Sequence, residues 1–236
     1  MSFIKLVSIA SVVLLLNACG SSSSGGSSSN IDESSDAQYR VTFTSVWNGT
    51  DFSTQFPSNA HFSGLIGSTH NDSVTFWDSG TSASAGIIQV AETGSKSVFT
   101  AEIKAAQDNA SAEFLLDGGG INTTPGNVSY EFSINQDFSL LTLISMVAPS
   151  PDWFVGVHDL DLFDSTAGEW IDSMTVDLKV YDAGSDSGVT FKSANTATSP
   201  QADIALLTSL AGDTDFVDGV VNATTHIGSF TFERIN

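Results

Sequence analysis

The stretch VAPSPDWFVGVHDLDLFD, residues 147–164, places one carboxylate, Asp152, between a pair of prolines and a tryptophan. The prolines restrict the backbone before Asp152, and the apolar run that follows is typical of a core strand. Packing gives no reason for a core strand to begin with a carboxylate. The stretch therefore predicts a β-rich core, and a role for Asp152 that depends on which other side chains approach it.

Alternating apolar and polar residues outside this stretch are typical of half-buried β-strands. The alternation is clearest in residues 39–47, 128–134 and 174–182, whereas residues 140–148 are apolar nearly throughout and predict a central strand. Only residues 84–94 have the spacing of a helix. Many short strands separated by turn residues predict an all-β fold, an antiparallel β-sandwich with Greek-key-like connections and one short helix.

Residues 1–18 predict a signal peptide. Lys5 gives a basic start, and the apolar run 6–16 is shorter than the about 20 residues that a spanning helix needs. The run ends in LNAC, which resembles the bacterial lipobox, where a cysteine is lipidated and becomes the new N-terminus. We therefore expect lipidation of Cys19 and attachment to a membrane through this lipid anchor. The alternative is an ordinary secretory signal with an incidental cysteine.

Residues 19–38 are dominated by serine and glycine and predict a flexible linker with a mean reach on the order of 25 Å. Gly20, rather than an aspartate, follows the cysteine, which resembles the signal that sorts lipoproteins to the outer membrane. The predicted organisation is thus a signal peptide (1–18), a lipid-anchored linker (19–38) and one sandwich domain (39–236). We expect the domain at the cell envelope, on the outer membrane, facing the periplasm or the cell exterior.

The charge of the chain is strongly acidic. Seven basic residues stand against 27 acidic ones, for a net charge of −20. A surface of this sign repels phosphate backbones, so we expect no nucleic-acid partner. Cys19 is the only cysteine, and no disulfide can therefore form within the chain.

A second stretch, VYDAGSDSGVTF at residues 180–191, holds two carboxylates four positions apart, Asp182 and Asp186. Its glycines allow a tight loop in which carbonyl groups could turn inward. The loop is rich in oxygen and lacks sulfur and imidazole, which suits calcium better than zinc. Two carboxylates near 4 Å repel by about 4 kcal/mol at an effective dielectric constant of 20, and a divalent cation removes that cost. On these residues alone, a solvated turn and a metal site both remain open.

The motifs PSPDWFVGV and DAGSDSGVTF together resemble the spondin N-terminal domain family, and HFSGLIGSTHN, FWDSG and SAGIIQVAETG follow in the family's order. The resemblance covers residues 39 to about 200. It implies an antiparallel β-sandwich with a bound calcium ion, Ca²⁺, whose ligands are Asp152, Asp182 and Asp186. Ser185 stands where the family usually has threonine. Under this resemblance, Asp152 is the third carboxylate of a calcium site.

The chain also departs from the family. Animal members carry cysteines in the loop that corresponds to residues 160–169, and this chain has none there and no thrombospondin-type repeat. Attachment to animal matrix, integrin binding and neuronal roles are therefore not carried over. What the resemblance implies is a calcium-stabilised module outside the cell, with a function in adhesion or recognition and an unknown extracellular protein or glycan as ligand.

Catalysis is the rival class of function. Neither Gly-x-Ser-x-Gly nor His-Glu-x-x-His occurs, so we expect no enzyme. A hydrolase of the carboxylate-pair type remains an alternative because such pairs come from distant positions. A carbohydrate- or matrix-binding module is another, with Trp47, Trp77 or Trp170 as exposed aromatic contacts.

A third acidic segment, DTDFVDG at residues 213–219, partly resembles a calcium loop. Its twelfth position is Thr224, where an EF-hand needs glutamate. The segment therefore predicts a solvated turn.

Overall fold

The computed structural model describes residues 35–207 and 226–236. Within these ranges the chain forms thirteen strands, two α-helices (α1, Ala85–Thr93, and α2, Ser97–Asp108) and a short 3-10 helix, Gln136–Phe138. The strands are β1 Asp36–Ser45, β2 His61–Phe62, β3 Ile66–His70, β4 Ala112–Asp117, β5 Gly126–Asn135, β6 Leu140–Ala148, β7 Trp153–Asp161, β8 Phe163–Asp164, β9 Glu169–Trp170, β10 Ser173–Leu178, β11 Val180–Asp182, β12 Ala205–Leu206 and β13 Gly228–Arg234.

The strands pair antiparallel in two main sheets. A four-stranded sheet has the order β10-β13-β1-β5, and a larger sheet has the order β12-β11-β7-β6-β3-β4 with β2 beside β6. Side chains of both sheets share one apolar core, to which Phe43 and Phe230 contribute from the smaller sheet and Leu143 and Val155 from the larger one. The predicted antiparallel β-sandwich is confirmed.

The larger sheet is buried on both faces, which explains why β6 is apolar nearly throughout. Leu141 and Leu143 of β6 belong to the core between the sheets. Ile144 belongs to a second core, which the two helices form on the opposite face. A strand covered on both sides has no polar face, so the alternating pattern is lost. The prediction of a central strand at residues 140–148 is confirmed.

Helix α1 forms where the sequence predicts it. The Ser84 side chain accepts a hydrogen bond from the Ile87 amide, which caps the start of the helix, and Gly94 ends it in the left-handed region with φ 69°. Its buried face includes Ile87 and Val90.

The expectation of a single helix was wrong, because α2 follows directly. Helix α2 buries Phe99, Ile103 and Ala106, which lie on one face at helical spacing. Its N-cap residue, Lys96, makes no side-chain capping hydrogen bond. The usual start signal in the sequence is therefore missing.

The prediction of one strand over residues 174–182 was also wrong. The strand divides at Lys179 into β10 of the smaller sheet and β11 of the larger sheet. Leu178 and Val180, on either side of the division, are both buried in the core that the sheets share. The period-two pattern therefore continues across the change of sheet and conceals it.

The hairpin β8–β9 lies at the loop in which the chain departs from the family that it resembles. Phe163 pairs with Trp170 in register, and their rings meet edge to face with centroids 5.2 Å apart. The Tyr39 hydroxyl donates a hydrogen bond to the Ile171 carbonyl over 2.5 Å. Aromatic packing and this hydrogen bond hold the segment without a disulfide.

Strand β1 begins at Asp36, ahead of the predicted domain start at residue 39, and Ala37 is already buried opposite Ile134. Cys19, the signal peptide and most of the linker lie outside the described residues, as does the acidic segment 213–219. Among the helices of the described ranges, none is both long and apolar enough to cross a membrane.

Candidate metal site

The larger sheet brings the two aspartate motifs to one end of the sandwich. Asp182 is the last residue of β11 and pairs across the ladder with Trp153, the first residue of β7. Asp152 therefore stands beside the loop that leaves β11. The amide of Ala183 donates to the Asp152 carbonyl over 3.0 Å, which joins the two segments directly.

Asp152 is fully buried, and the loop after β11 folds around its carboxylate. Its Oδ2 accepts hydrogen bonds from the amides of Ser185 and Asp186, at 2.8 and 2.9 Å, and from the Ser185 hydroxyl at 3.1 Å. Its Oδ1 is also buried, but it has no hydrogen-bond partner in the described part of the chain. Oδ2 thus accepts three hydrogen bonds, whereas Oδ1 accepts none from the described residues. Burying Oδ1 in this way costs free energy unless a cation approaches it.

Asp182 and Asp186 are both buried and organise their own loops. Asp182 Oδ1 accepts from the Gly184 amide at 2.7 Å. Asp186 Oδ1 accepts from the Gly188 amide at 2.7 Å, and its Oδ2 from the Thr196 amide at 2.8 Å. These are the short local hydrogen bonds that aspartates make in turns.

The expectation of inward carbonyl groups in this loop was wrong at the two positions where carbonyl partners are seen. The carbonyl of Gly184 accepts from the Ala202 amide at 2.9 Å, and that of Ser185 accepts from the Thr198 amide at 2.8 Å. The loop therefore presents amide groups to the aspartates and pairs these carbonyls with the neighbouring segment. Each of the three carboxylates accepts at least one hydrogen bond from a backbone amide.

Asp152 and Asp182 are buried with no positively charged side chain among the groups that act on their pKa values in the described part of the chain. Burial raises the pKa of Asp152, and the charge of Asp186 raises it further, against the hydrogen bonds from Asp186 and Ser185. Burial and then the charge of Asp152 raise the pKa of Asp182 to about 6, although the hydrogen bond from the Gly184 amide favours its ionised form.

The chemistry of this donor set fits a hard divalent cation. Asp152 Oδ1 is a buried oxygen without a donor, two further buried carboxylates lie beside it, and no sulfur or imidazole takes part. Calcium accepts oxygen ligands in flexible geometry. Within residues 35–207 and 226–236, however, no three Asp, Glu, His or Cys side chains surround a common point as in a ready-made metal centre. The carboxylates of Asp182 and Asp186 are instead turned toward backbone amides.

One acidic residue at this end of the sandwich was missed in the sequence. The Ser185 hydroxyl donates to Glu92 Oε1 over 2.7 Å, and Glu92 comes from the last turn of α1. The only sequence signal is a polar residue directly after the buried pair Val90 and Ala91. Where α1 would pack on the sheet could not be read from that signal.

A second titratable cluster lies around Asp159 of β7. Asp159 sits at an irregularity between β6 and β7 with a positive φ of 47°, and its Oδ1 is buried 3.5 Å from Nε2 of His70. The His70 side chain is completely buried, and Nε2 is 2.9 Å from the Thr142 hydroxyl. Burial lowers the pKa of His70 and favours its neutral form. This histidine therefore has the contacts of a packed, hydrogen-bonded core residue.

The expectation of exposed tryptophans was wrong. Trp47, Trp77 and Trp170 are 0%, 3% and 4% exposed and belong to the apolar cores. Trp47, for example, packs edge to face against Phe56 and Phe62. Rings buried in this way cannot stack on a sugar.

Comparison with known proteins shows the family of the chain. The Spondin_N family model matches residues 37–216, which include every stretch from β1 through the loop that carries Asp186. The chain belongs to the Spondin_N family. Strand β13 lies beyond the matched residues. It pairs with both β1 and β10 and so completes the smaller sheet of the domain.

Several curated proteins are similar to the chain. Spondin-1 of Rattus norvegicus is 36% identical over 205 residues, 84% of this chain and 25% of the relative. Spondin-2 of Homo sapiens is 36% identical over 177 residues, 73% of this chain and 53% of the relative. Spondin-1 of Gallus gallus is 38% identical over 179 residues. The chain thus spans about a quarter of spondin-1 and about half of spondin-2.

Proposed function

We propose that this protein is a calcium-binding lipoprotein of the cell surface, whose Spondin_N domain is a non-enzymatic module for adhesion or recognition. The observation that carries the calcium part is the buried Oδ1 of Asp152, which has no hydrogen-bond partner among the described residues and lies beside Asp182 and Asp186. The family resemblance assigns the same three residues as ligands.

The energetic argument starts from the cost of burying like charges. Ionised carboxylates removed from water need either a proton or a cation. The raised pKa values of Asp152 and Asp182 reflect the cost of burying these two charges. A bound calcium ion would supply positive charge and hold the turn before β7 and the loop after β11 together. Asp152, Asp182 and Asp186 would be its protein ligands, and its role would be structural.

A recognition role is supported by the family membership and by the absence of the common nucleophile and zinc motifs from the sequence. The proposed partner is an extracellular protein or a glycan, bound by the domain while Cys19 holds it at the outer membrane. Because the three candidate tryptophans are buried, a glycan would have to be recognised by polar groups or other rings.

A binding screen tests this function. Lipidated full-length protein would be displayed on vesicles and probed with arrays of glycans and extracellular matrix proteins, in calcium and in chelator. The proposal predicts saturable binding that is reduced in chelator and by Asp182→Asn, but not by Asp72→Asn, an exposed control. Turnover of an ester, glycan or peptide that is lost with a single substitution would contradict the non-enzymatic role.

A further inference from the structure

The Ser185 hydroxyl stands between two carboxylates that come from different parts of the fold. It is 2.7 Å from Oε1 of Glu92 in α1 and 3.1 Å from Oδ2 of Asp152. A serine hydroxyl carries one hydrogen, so the two carboxylates compete for it. The shorter contact is to Glu92. When that contact holds the hydrogen, the Ser185 oxygen faces Asp152 with a lone pair.

The position of Glu92 within α1 is unfavourable for a carboxylate. It lies in the last turn, where the carbonyl end of the helix dipole repels negative charge, and that turn contains no basic residue. Val90 and Ala91 beside it are completely buried, so the helix backbone is fixed against the sheet. The hydrogen bond from Ser185 is the contact that holds the Glu92 carboxylate at this place.

The geometry points to Glu92 as a positioning residue for the proposed calcium site. We propose that it fixes the Ser185 hydroxyl, adds negative potential near Asp152, and thereby links cation binding to the docking of α1. The inference rests on the proposed calcium function. A cation near Asp152 would reduce the need of that carboxylate for the Ser185 hydrogen. The hydroxyl could then donate fully to Glu92. This hydrogen bond would make local unfolding of the last turn of α1 less favourable.

The first test is calcium affinity, measured by calorimetry on the full chain. Glu92→Gln keeps an oxygen that can accept from Ser185 but removes the charge. Calcium should bind at least about fivefold more weakly, the lower end of typical couplings between sites. Glu169→Gln makes the same chemical change at an exposed position of β9 and should leave the affinity unchanged. Equal affinities for wild type and Glu92→Gln would overturn the inference.

The second test separates positioning from general stability. In wild type, calcium should slow hydrogen exchange of amides in the last turn of α1 as well as in the loop at residues 183–186. Ser185→Ala should abolish the slowing in α1 while the loop remains protected, and Ser185→Thr, which keeps the hydroxyl, should restore it. Unchanged slowing of α1 in Ser185→Ala would contradict the link.

The two proposals fail in different ways. If wild type binds no calcium by calorimetry, the proposed function is wrong and this inference falls with it. If wild type binds calcium and Glu92→Gln binds equally well, only the role of Glu92 is wrong.

Discussion

Asp182 and Trp153 are cross-strand partners at the end of the larger sheet, and this pair sets the geometry of the whole candidate site. Because Asp152 precedes Trp153, the pairing places its carboxylate against the loop that follows Asp182. The tryptophan directly behind Asp152 therefore joins the two motifs through the strand pairing.

Two substitutions of Asp152 should separate its charge from its hydrogen bonds. Asp152→Asn keeps an acceptor for the three donors of Ser185 and Asp186, so in chelator the free energy of unfolding should change by no more than about 2 kcal/mol. Asp152→Ala leaves these donors without a partner and should cost about 3 kcal/mol or more. Denaturant unfolding measures both. Equal losses in chelator would contradict the described hydrogen bonds.

The raised pKa of Asp182 predicts how stability without calcium depends on pH. A carboxyl group whose pKa is raised on folding, here from 3.8 to about 6, binds protons more tightly when folded. Its contribution to stability is therefore most favourable at low pH and is lost as the pH rises through about 6. The loss is at most about 3 kcal/mol, because each pKa unit corresponds to about 1.4 kcal/mol.

His70 has the opposite effect on the pH dependence of stability. Burial lowers its pKa, so the unfolded chain binds the proton more tightly and acid favours unfolding. The difference between wild type and Asp182→Asn isolates the carboxyl group. In chelator, Asp182→Asn should gain stability relative to wild type between about pH 4 and pH 7, as followed by thermal unfolding. A constant difference over this range would show that Asp182 does not titrate as described.

Gly184 tests the fit of the loop around the aspartates. It has φ 74°, and a Cβ there would collide with the carbonyl oxygen of Ala202. Gly168 has nearly the same φ, 75°, but open space around it. Gly168→Ala should therefore cost only the strain of the left-handed region, about 1–2 kcal/mol.

Gly184→Ala should cost about 1–3 kcal/mol more than Gly168→Ala, because the neighbouring segment must move. It should also weaken the proposed calcium response. Equal destabilisation of the two variants in chemical unfolding would argue against the close contact between the loop and residue 202.

Cys19 provides the test of anchoring. Mass spectrometry of the N-terminal peptide after bacterial expression should find a diacylated or triacylated cysteine, and Cys19→Ala should move the protein from the membrane fraction to the soluble fraction. The Ser/Gly linker should tolerate a matched Ser23→Ala control without such a shift. Cell-associated protein with an unmodified Cys19 would contradict the lipoprotein prediction.

Much of this fold can be predicted because residues that pack into its cores recur at the regular spacing of strands and helices. Alternation identified β1 and β5, whose inward residues line one core, and the apolar run identified β6, which is covered on both faces. The helix α1 was predictable because Ser84 and Gly94 cap it. By contrast, α2 starts without a capping side chain, and the change of sheet at Lys179 preserves the alternation.

The candidate site shows a similar division. The resemblance of two motifs predicted one site for Asp152, Asp182 and Asp186; the structure places the motifs on adjacent segments, but the three carboxylates do not surround a common point. Glu92 was not predictable, because its role depends on where α1 packs. The tryptophans were misjudged because the sequence near a strand end or in a loop does not show whether an aromatic ring points into the core or outward.

Calcium-dependent melting of the full chain tests the central claim most directly. At a hundredfold excess over its dissociation constant, calcium should add about 2.7 kcal/mol, which raises the melting temperature by about 5–10 °C for a domain of this size. Magnesium should substitute poorly, because it demands tighter octahedral geometry. Asp182→Asn should lose most of the shift, whereas Asp215→Asn, in the segment predicted to be a solvated turn, should retain it. An unchanged shift in Asp182→Asn together with its loss in Asp215→Asn would contradict the account.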